Sequence, residues 1–165
     1  MTKLTPLFKE NYLALIKNSV GTKMFRNCFF LIDDQLKVGQ SPARGRGRKI
    51  DVLNNGDLAC AYFVSGILKM LDLIGDLHTT VKSTISDIKR SGWRETKVLK
   101  EGAILVWEKK KSDDGWHSHI GFYIGNQKAI SNHSSGGRNK TPKIHHFTYN
   151  NKRKIEKIFW HNKLG

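Results

Sequence analysis

Residues 54–75, NNGDLACAYFVSGILKMLDLIG, decide how the chain is read. Four turn-forming residues (Asn54, Asn55, Gly56, Asp57) run into Cys60, and from there Val64, Ile67, Leu68 and Leu71 share one helical face. The stretch predicts a turn, then a helix that starts at the cysteine and ends near Gly75. Residues 79–91 repeat the helical pattern with Val81, Ile85 and Ile88, stopped by Gly92. Upstream, residues 7–19 set Leu7, Tyr12, Leu15, Ile16 and Ser19 at three-to-four spacing, a further amphipathic helix with Gly21 as its C-cap.

The chain between and after these helices reads differently. MFRNCFFLID (24–33) predicts a strand, Asp33-Asp34-Gln35 a turn, LKVG (36–39) a short returning strand, and SPARGRGRK (41–49) a basic loop. Beyond Trp93 come AILVWEK, HIGFYIG, KAISNHS, KIHHFTY and KIEKIFW. These runs are short, rich in β-branched and aromatic residues, and separated by turn residues. Helices followed by an antiparallel sheet define an α+β fold. At 165 residues the chain reads as one domain: residues 1–49 supply a helix, a hairpin and the basic loop, and residues 50–165 the core that carries the chemistry.

Composition narrows the function classes. The formal net charge is +15, with basic clusters in PARGRGRK (42–49), EKKK (108–111) and NKRKIEK (151–157). Such a surface attracts polyanions, whether nucleic acid, anionic lipid or cell-wall polymer, without selecting among them. Lys9, Glu10 and Asn11 interrupt the N-terminal apolar residues, and no segment reaches the ~18 apolar residues of a membrane span. The expectation is a protein made in the cytoplasm without a Sec signal, reaching any outside target by another export route or by phage-type release. GRGRK lacks the ending of a phosphate loop, and Asp33-Asp34 and Asp113-Asp114 read as solvated loop residues. The two cysteines form no CxxC pair, and Cys28, inside MFRNCFFLI, reads as a small buried thiol.

Cys60 is the exception. A thiol at a helix start faces unpaired backbone N–H groups, which lower its pKa and can also form part of an oxyanion hole. His119 opens HIGFYIG. Period-two alternation puts Ile120, Phe122 and Ile124 on the core face and His119, Gly121 and Tyr123 on the other. The hairpin GNQK then sets which residue orients the imidazole. If Ile130 shares the core face, Ser131 and His133 lie on the face of His119; a strict two-residue turn puts Asn132 there instead. The apolar pattern favours the first. Asn132 and His133 can each accept a hydrogen bond from His119. A zinc reading competes for His117, His119, His133, His145 and His146, but no carboxylate or cysteine stands at ligand spacing, so metal and organic cofactors are not invoked. His78 and His161 read as surface residues.

DLACAYFVS (57–65), EGAILVWE (101–108), HIGFYIGNQKAISNHS (119–134) and the Gly136-Gly137 turn resemble the NlpC-type cell-wall peptidases, papain-like cysteine peptidases of the non-permuted branch. The resemblance covers about residues 50–149 and implies a papain-like α+β fold. It implies Cys60 as the nucleophile toward an amide carbonyl, His119 as base and then acid, and a polar residue on the next strand as the orienting group. Ungapped counting puts Ser131 at that third position, with Asn132 and His133 adjacent. The implied substrate is a peptidoglycan stem peptide, with the basic surface holding the enzyme against anionic wall polymer. The rival expectation is a papain-like scaffold that binds nucleic acid or another polyanion without catalysis.

Overall fold

A computed structural model of the chain describes residues 4–32, 48–112, 115–132 and 140–165. Its described part holds three α-helices, α1 (Phe8–Asn18), α2 (Cys60–Met70) and α3 (Val81–Arg90), and eight strands. Strands β1 (Phe29–Ile32) and β2 (Arg48–Asp51) form a separate antiparallel pair. The main sheet contains β3 (Arg94–Thr96), β4 (Ile104–Ser112), β5 (Gly115–Tyr123), β6 (Lys128–Asn132), β7 (Pro142–His146) and β8 (Ile155–Trp160). Its order is β3-β8-β4-β5-β6-β7, and each pairing is antiparallel. Four strands meander from β4 to β7, β8 returns beside β4, and β3 extends that edge. The α+β class is therefore as the patterning predicts.

The core lies between the helices and one face of this sheet. Tyr12 and Ile16 of α1, Phe63, Val64, Ile67 and Leu68 of α2, and Ile88 of α3 pack with Ile104, Val106, Ile120, Phe122, Ile130 and Phe159. Edge-to-face rings run from Phe25 through Phe63 and Phe122 to Tyr12, whose hydroxyl donates to the Gly102 carbonyl at 2.8 Å. Aromatic pairs of this kind combine large apolar burial with a preferred geometry. Gly66 is a packing requirement: a Cβ there would stand 2.6 Å from the Phe25 ring.

Several local expectations are corrected. β1 pairs with β2, residues 48–51, and LKVG, expected as a returning strand, falls outside the described residues. Arg48 and Lys49 therefore belong to a strand, where Lys49 sits over the Phe29 ring at 4.0 Å. Leu7 is largely exposed, because Tyr12 and Ile16 alone carry the buried stripe of α1. Cys28 is only partly buried and precedes β1. His161 is buried, with Nε2 against the Ser91 carbonyl at 3.1 Å, and His78 is enclosed beside Asp87 at 2.7 Å. Both histidines are masked from solvent by partners distant in sequence. Among the described residues no helix is long and apolar enough to cross a membrane.

Candidate active site

The turn before Cys60 is built from left-handed backbone. Asn54, Asn55 and Gly56 have φ of 47°, 53° and 97°, which asparagine and glycine tolerate better than other residues. Asp51, at the end of β2, holds this turn closed. Its carboxylate accepts from Cys28 N at 2.9 Å, Leu53 N at 3.1 Å, Asn55 N at 2.8 Å and the Asn27 amide at 2.6 Å. Burial alone would raise the Asp51 pKa, but these donors outweigh it and hold the group below its ordinary value. The sequence reading passed over Asp51; its signal was an acidic residue three to four positions before the NNG turn.

Cys60 thus opens α2, with Ala59 as N-cap and no side-chain cap. Its own N–H and that of Ala61 find no carbonyl acceptor among the described residues. Burial pushes the Cys60 thiol up, against the backbone N–H groups of Ile120, Ala61 and Cys60 and the charge of Arg153, which pull it down. The net rise differs from the sequence expectation of a lowered pKa. The first turn of α2 is packed into the core, so the thiolate loses more hydration than a few N–H groups restore. A raised pKa favours the neutral thiol.

His119 stands on the far face of β5 from the core, opposite Trp107 of β4. The fully buried Trp107 ring lies 5.3 Å from the His119 ring, and its indole N–H donates to the Phe147 carbonyl at 2.7 Å. Beside this pair β4 carries a bulge between Trp107 and Lys110, an irregularity that re-aims neighbouring side chains. Gly121 lacks a side chain for a physical reason. A Cβ there would meet the Ile130 carbonyl at 2.5 Å, the Ser131 Cβ at 2.7 Å and the Trp107 ring at 3.1 Å.

The β5–β6 hairpin selects the third residue. Phe122 pairs with Ile130, so Ile130 takes the core face and Ser131 the face of His119. Ser131 Oγ lies 2.9 Å from His119 Nε2, 2.8 Å from His145 Nε2 and 3.0 Å from the Tyr149 hydroxyl. Asn132 is not an orienting residue in this geometry. It is 3% exposed on the core side and its amide donates to the Gly56 carbonyl at 2.8 Å, tying β6 to the turn before Cys60. His133 lies outside the described residues.

Donor counting orders these contacts. His145 Nδ1 faces the His146 carbonyl at 2.9 Å, so Nδ1 carries the hydrogen and, in the neutral ring, Nε2 accepts. Ser131 then donates to His145 and accepts from His119 Nε2–H and from Tyr149. That tautomer leaves His119 Nδ1 with the basic lone pair. Tyr149, pushed up to about 12 mainly by burial, stays a phenol and keeps donating. Its ring stacks on His145 with centroids 4.1 Å apart. His145 and Tyr149 were not assigned to the site from sequence, since the turn at 149–151, left-handed throughout, returns Tyr149 to the sheet.

Cys60, His119 and Tyr149 open into one cleft of about 1030 Å³, which Lys82, Lys109, Lys110, Lys111, Lys152 and Arg153 also line. Asp57 is the carboxylate among the described lining residues, and Lys140 and the Asn54 amide bond it. His117 also lines the cleft, but among the described residues no three His, Cys, Asp or Glu side chains group as a metal site. The site is thus a partly buried thiol, an imidazole held by Ser131 and backbone N–H groups at a helix start, within a lysine-rich cleft. The chain matches no protein-family model, and no curated protein matches it.

Proposed function

We propose that the chain is a cysteine hydrolase that cleaves an amide bond, with Cys60 as nucleophile and His119 as general base and then acid. The observation that carries this reading is the contact of His119 Nε2 with Ser131 Oγ at 2.9 Å, which favours the tautomer with its basic lone pair on Nδ1. Cys60 and His119 line the same cleft. In the first step Cys60 Sγ bonds to the carbonyl carbon while its proton passes to His119 Nδ1. The resulting oxyanion accepts from the N–H groups of Cys60 and Ala61, which no carbonyl takes among the described residues. Collapse breaks the C–N bond, the amine leaves with the proton from His119, and a thioester remains. Water, deprotonated by His119, then attacks the thioester and releases the acid and the free thiol. The resemblance to NlpC-type peptidases favours a peptidoglycan stem peptide as substrate. The test is turnover of such peptides by the wild type, Cys60→Ser and His119→Ala. Loss of cleavage in Cys60→Ser and a drop of about 10²–10⁴ in His119→Ala are expected; undiminished cleavage in either overturns the assignment.

A second reading follows from the cleft wall. Its lysines and the 67% exposed Trp116 suit a polyanion with stacking bases. A binder of this class would hold a single-stranded oligonucleotide with affinity that falls steeply with salt and is unchanged in Cys60→Ala. The hydrolase reading expects no such saturable binding at physiological salt.

A further inference from the structure

Arg153 is the charged group of the cleft that the hydrolase reading leaves without a role. It follows the left-handed turn at 149–151 and returns toward the β4 bulge. There its Nε and Nη2 donate to the Glu108 carbonyl at 3.1 and 2.9 Å, and Nη2 also donates to the His117 carbonyl at 3.1 Å. A guanidinium has five N–H donors. Three are committed to neutral carbonyl oxygens, and the two on Nη1 have no acceptor among the described residues. Among the described residues no carboxylate hydrogen-bonds the group: Glu108 turns its Oε1 to the Lys154 N–H at 2.9 Å, and Glu108 and Glu156 act on the guanidinium only as nearby charges. A cation that is partly removed from water without a bonded counter-ion is costly. Here it is also rigidly aimed, held from two backbone carbonyls, and it lines the cleft with Cys60.

We propose that Arg153 is a carboxylate-recognition site, taking a free carboxylate on the substrate residue that flanks the scissile amide. The inference rests on the hydrolase reading of the same cleft and narrows its substrates to acidic peptides. The two Nη1 N–H groups diverge, so a carboxylate is taken through one charge-assisted hydrogen bond rather than a bidentate fork; a phosphate dianion calls for more donors than Arg153 has left. The lysines add attraction over a longer range. Lys110, for example, is turned away, its Nζ donating to the Lys152 carbonyl at 2.5 Å. The same cation stands near enough to the thiol to pull its pKa down, so a bound carboxylate also lies close to the reacting sulfur.

Iodoacetate and iodoacetamide test this, because they deliver the same alkyl group with and without the carboxylate. Both react with Cys60 and Cys28 of the full chain at one mildly alkaline pH, and peptide mass spectrometry resolves the two sites. Salt is held at roughly 0.5 M, where the Debye length of a few ångströms suppresses the lysine field. The iodoacetate-to-iodoacetamide rate ratio at Cys60 is expected to exceed that at Cys28 by about tenfold, a margin of about 1.4 kcal/mol. Arg153→Gln should bring the two ratios together. Arg153→Lys, which keeps the charge and loses the carbonyl-held aim of the guanidinium, should remove most of the difference, whereas Lys152→Ala should leave it. Glutarate should slow both reagents at wild-type Cys60, a check that needs no variant. An equal ratio at the two cysteines of the wild type, or a preference that survives Arg153→Gln, overturns the proposal. If the ratio is flat while stem peptides are still cut in a Cys60-dependent way, the carboxylate site fails and the hydrolase stands. If the preference depends on Arg153 and no peptide is cut, the reverse holds.

Discussion

Ser131 has one hydrogen to give and three polar neighbours. Giving it to His145 leaves the oxygen to accept from His119 and Tyr149, and this choice puts the lone pair of the proposed base on His119 Nδ1. In Ser131→Ala the imidazole loses the partner that selects its tautomer, so kcat on a cleavable peptide should fall about 10- to 100-fold with KM little changed. A loss confined to KM would place Ser131 in substrate binding instead. Cys60 gives a second expectation at this scale. Because burial holds its thiol above the ordinary value, alkylation by iodoacetamide should climb through and beyond the usual midpoint of about 8.5. A plateau reached in the acid range would instead indicate a preformed thiolate–imidazolium pair.

At the scale of elements, two short stretches deliver the reacting groups. The turn before α2 depends on one carboxylate with four donors, so Asp51→Ala should cost about 1–3 kcal/mol in chemical denaturation. It should also slow Cys60 chemistry, while Asp51→Asn recovers part of both. The sign with pH follows from the lowered Asp51 pKa. Its contribution is complete above the unfolded aspartate value of about 3.9 and is lost as pH falls through the lower folded value. The β5–β6 hairpin depends on Gly121, where a methyl group meets the fixed Ile130 carbonyl at 2.5 Å. Gly121→Ala should lower stability by about 1–3 kcal/mol and pull Ser131 from His119, read as a fall in Tm together with kcat. Unchanged Tm would show that β6 yields without cost.

The whole molecule is held at its far end by a different network. Asp87 of α3 accepts from Gly75 N at 3.2 Å, Asp76 N at 2.9 Å and Ser91 Oγ at 3.2 Å, and bonds His78 Nε2 at 2.7 Å. Burial raises its pKa, but these donors prevail and bring it to about 2. A depressed carboxylate stabilises the fold above its unfolded value of about 3.9, and that contribution disappears as pH drops through about 2. Asp87→Asn should therefore lower stability by roughly 2 kcal/mol at neutral pH and flatten acid unfolding between those values. An acid limb identical to wild type would remove Asp87 from the account. The pin also orders the chain between α2 and α3, whose Thr79 and Thr80 line the cleft.

Much of this was legible without coordinates, and the reason is periodicity. Three-to-four spacing marked the helices, with α2 starting at Cys60, and alternation in HIGFYIG separated Ile120 and Phe122 from His119. Both are local properties, set by 3.6 residues per turn and by the pleat. Ser131 was left open among neighbours because a hairpin's facing depends on a register that one residue reverses. Asn132, alike in chemistry to the residue sought, went to the core side and bonded the Gly56 carbonyl. The strand partner of β1, the His78–Asp87 pin and the return of Tyr149 and Arg153 to the cleft join positions distant in sequence or follow an irregular turn. No periodic signal encodes them. The sequence by itself determined most of the elements and singled out Cys60 and His119, the residues of the proposed reaction. The tertiary structure decided their partners, because hydrogen bonds and desolvation depend on which groups the folded chain brings within about 3 Å of one another.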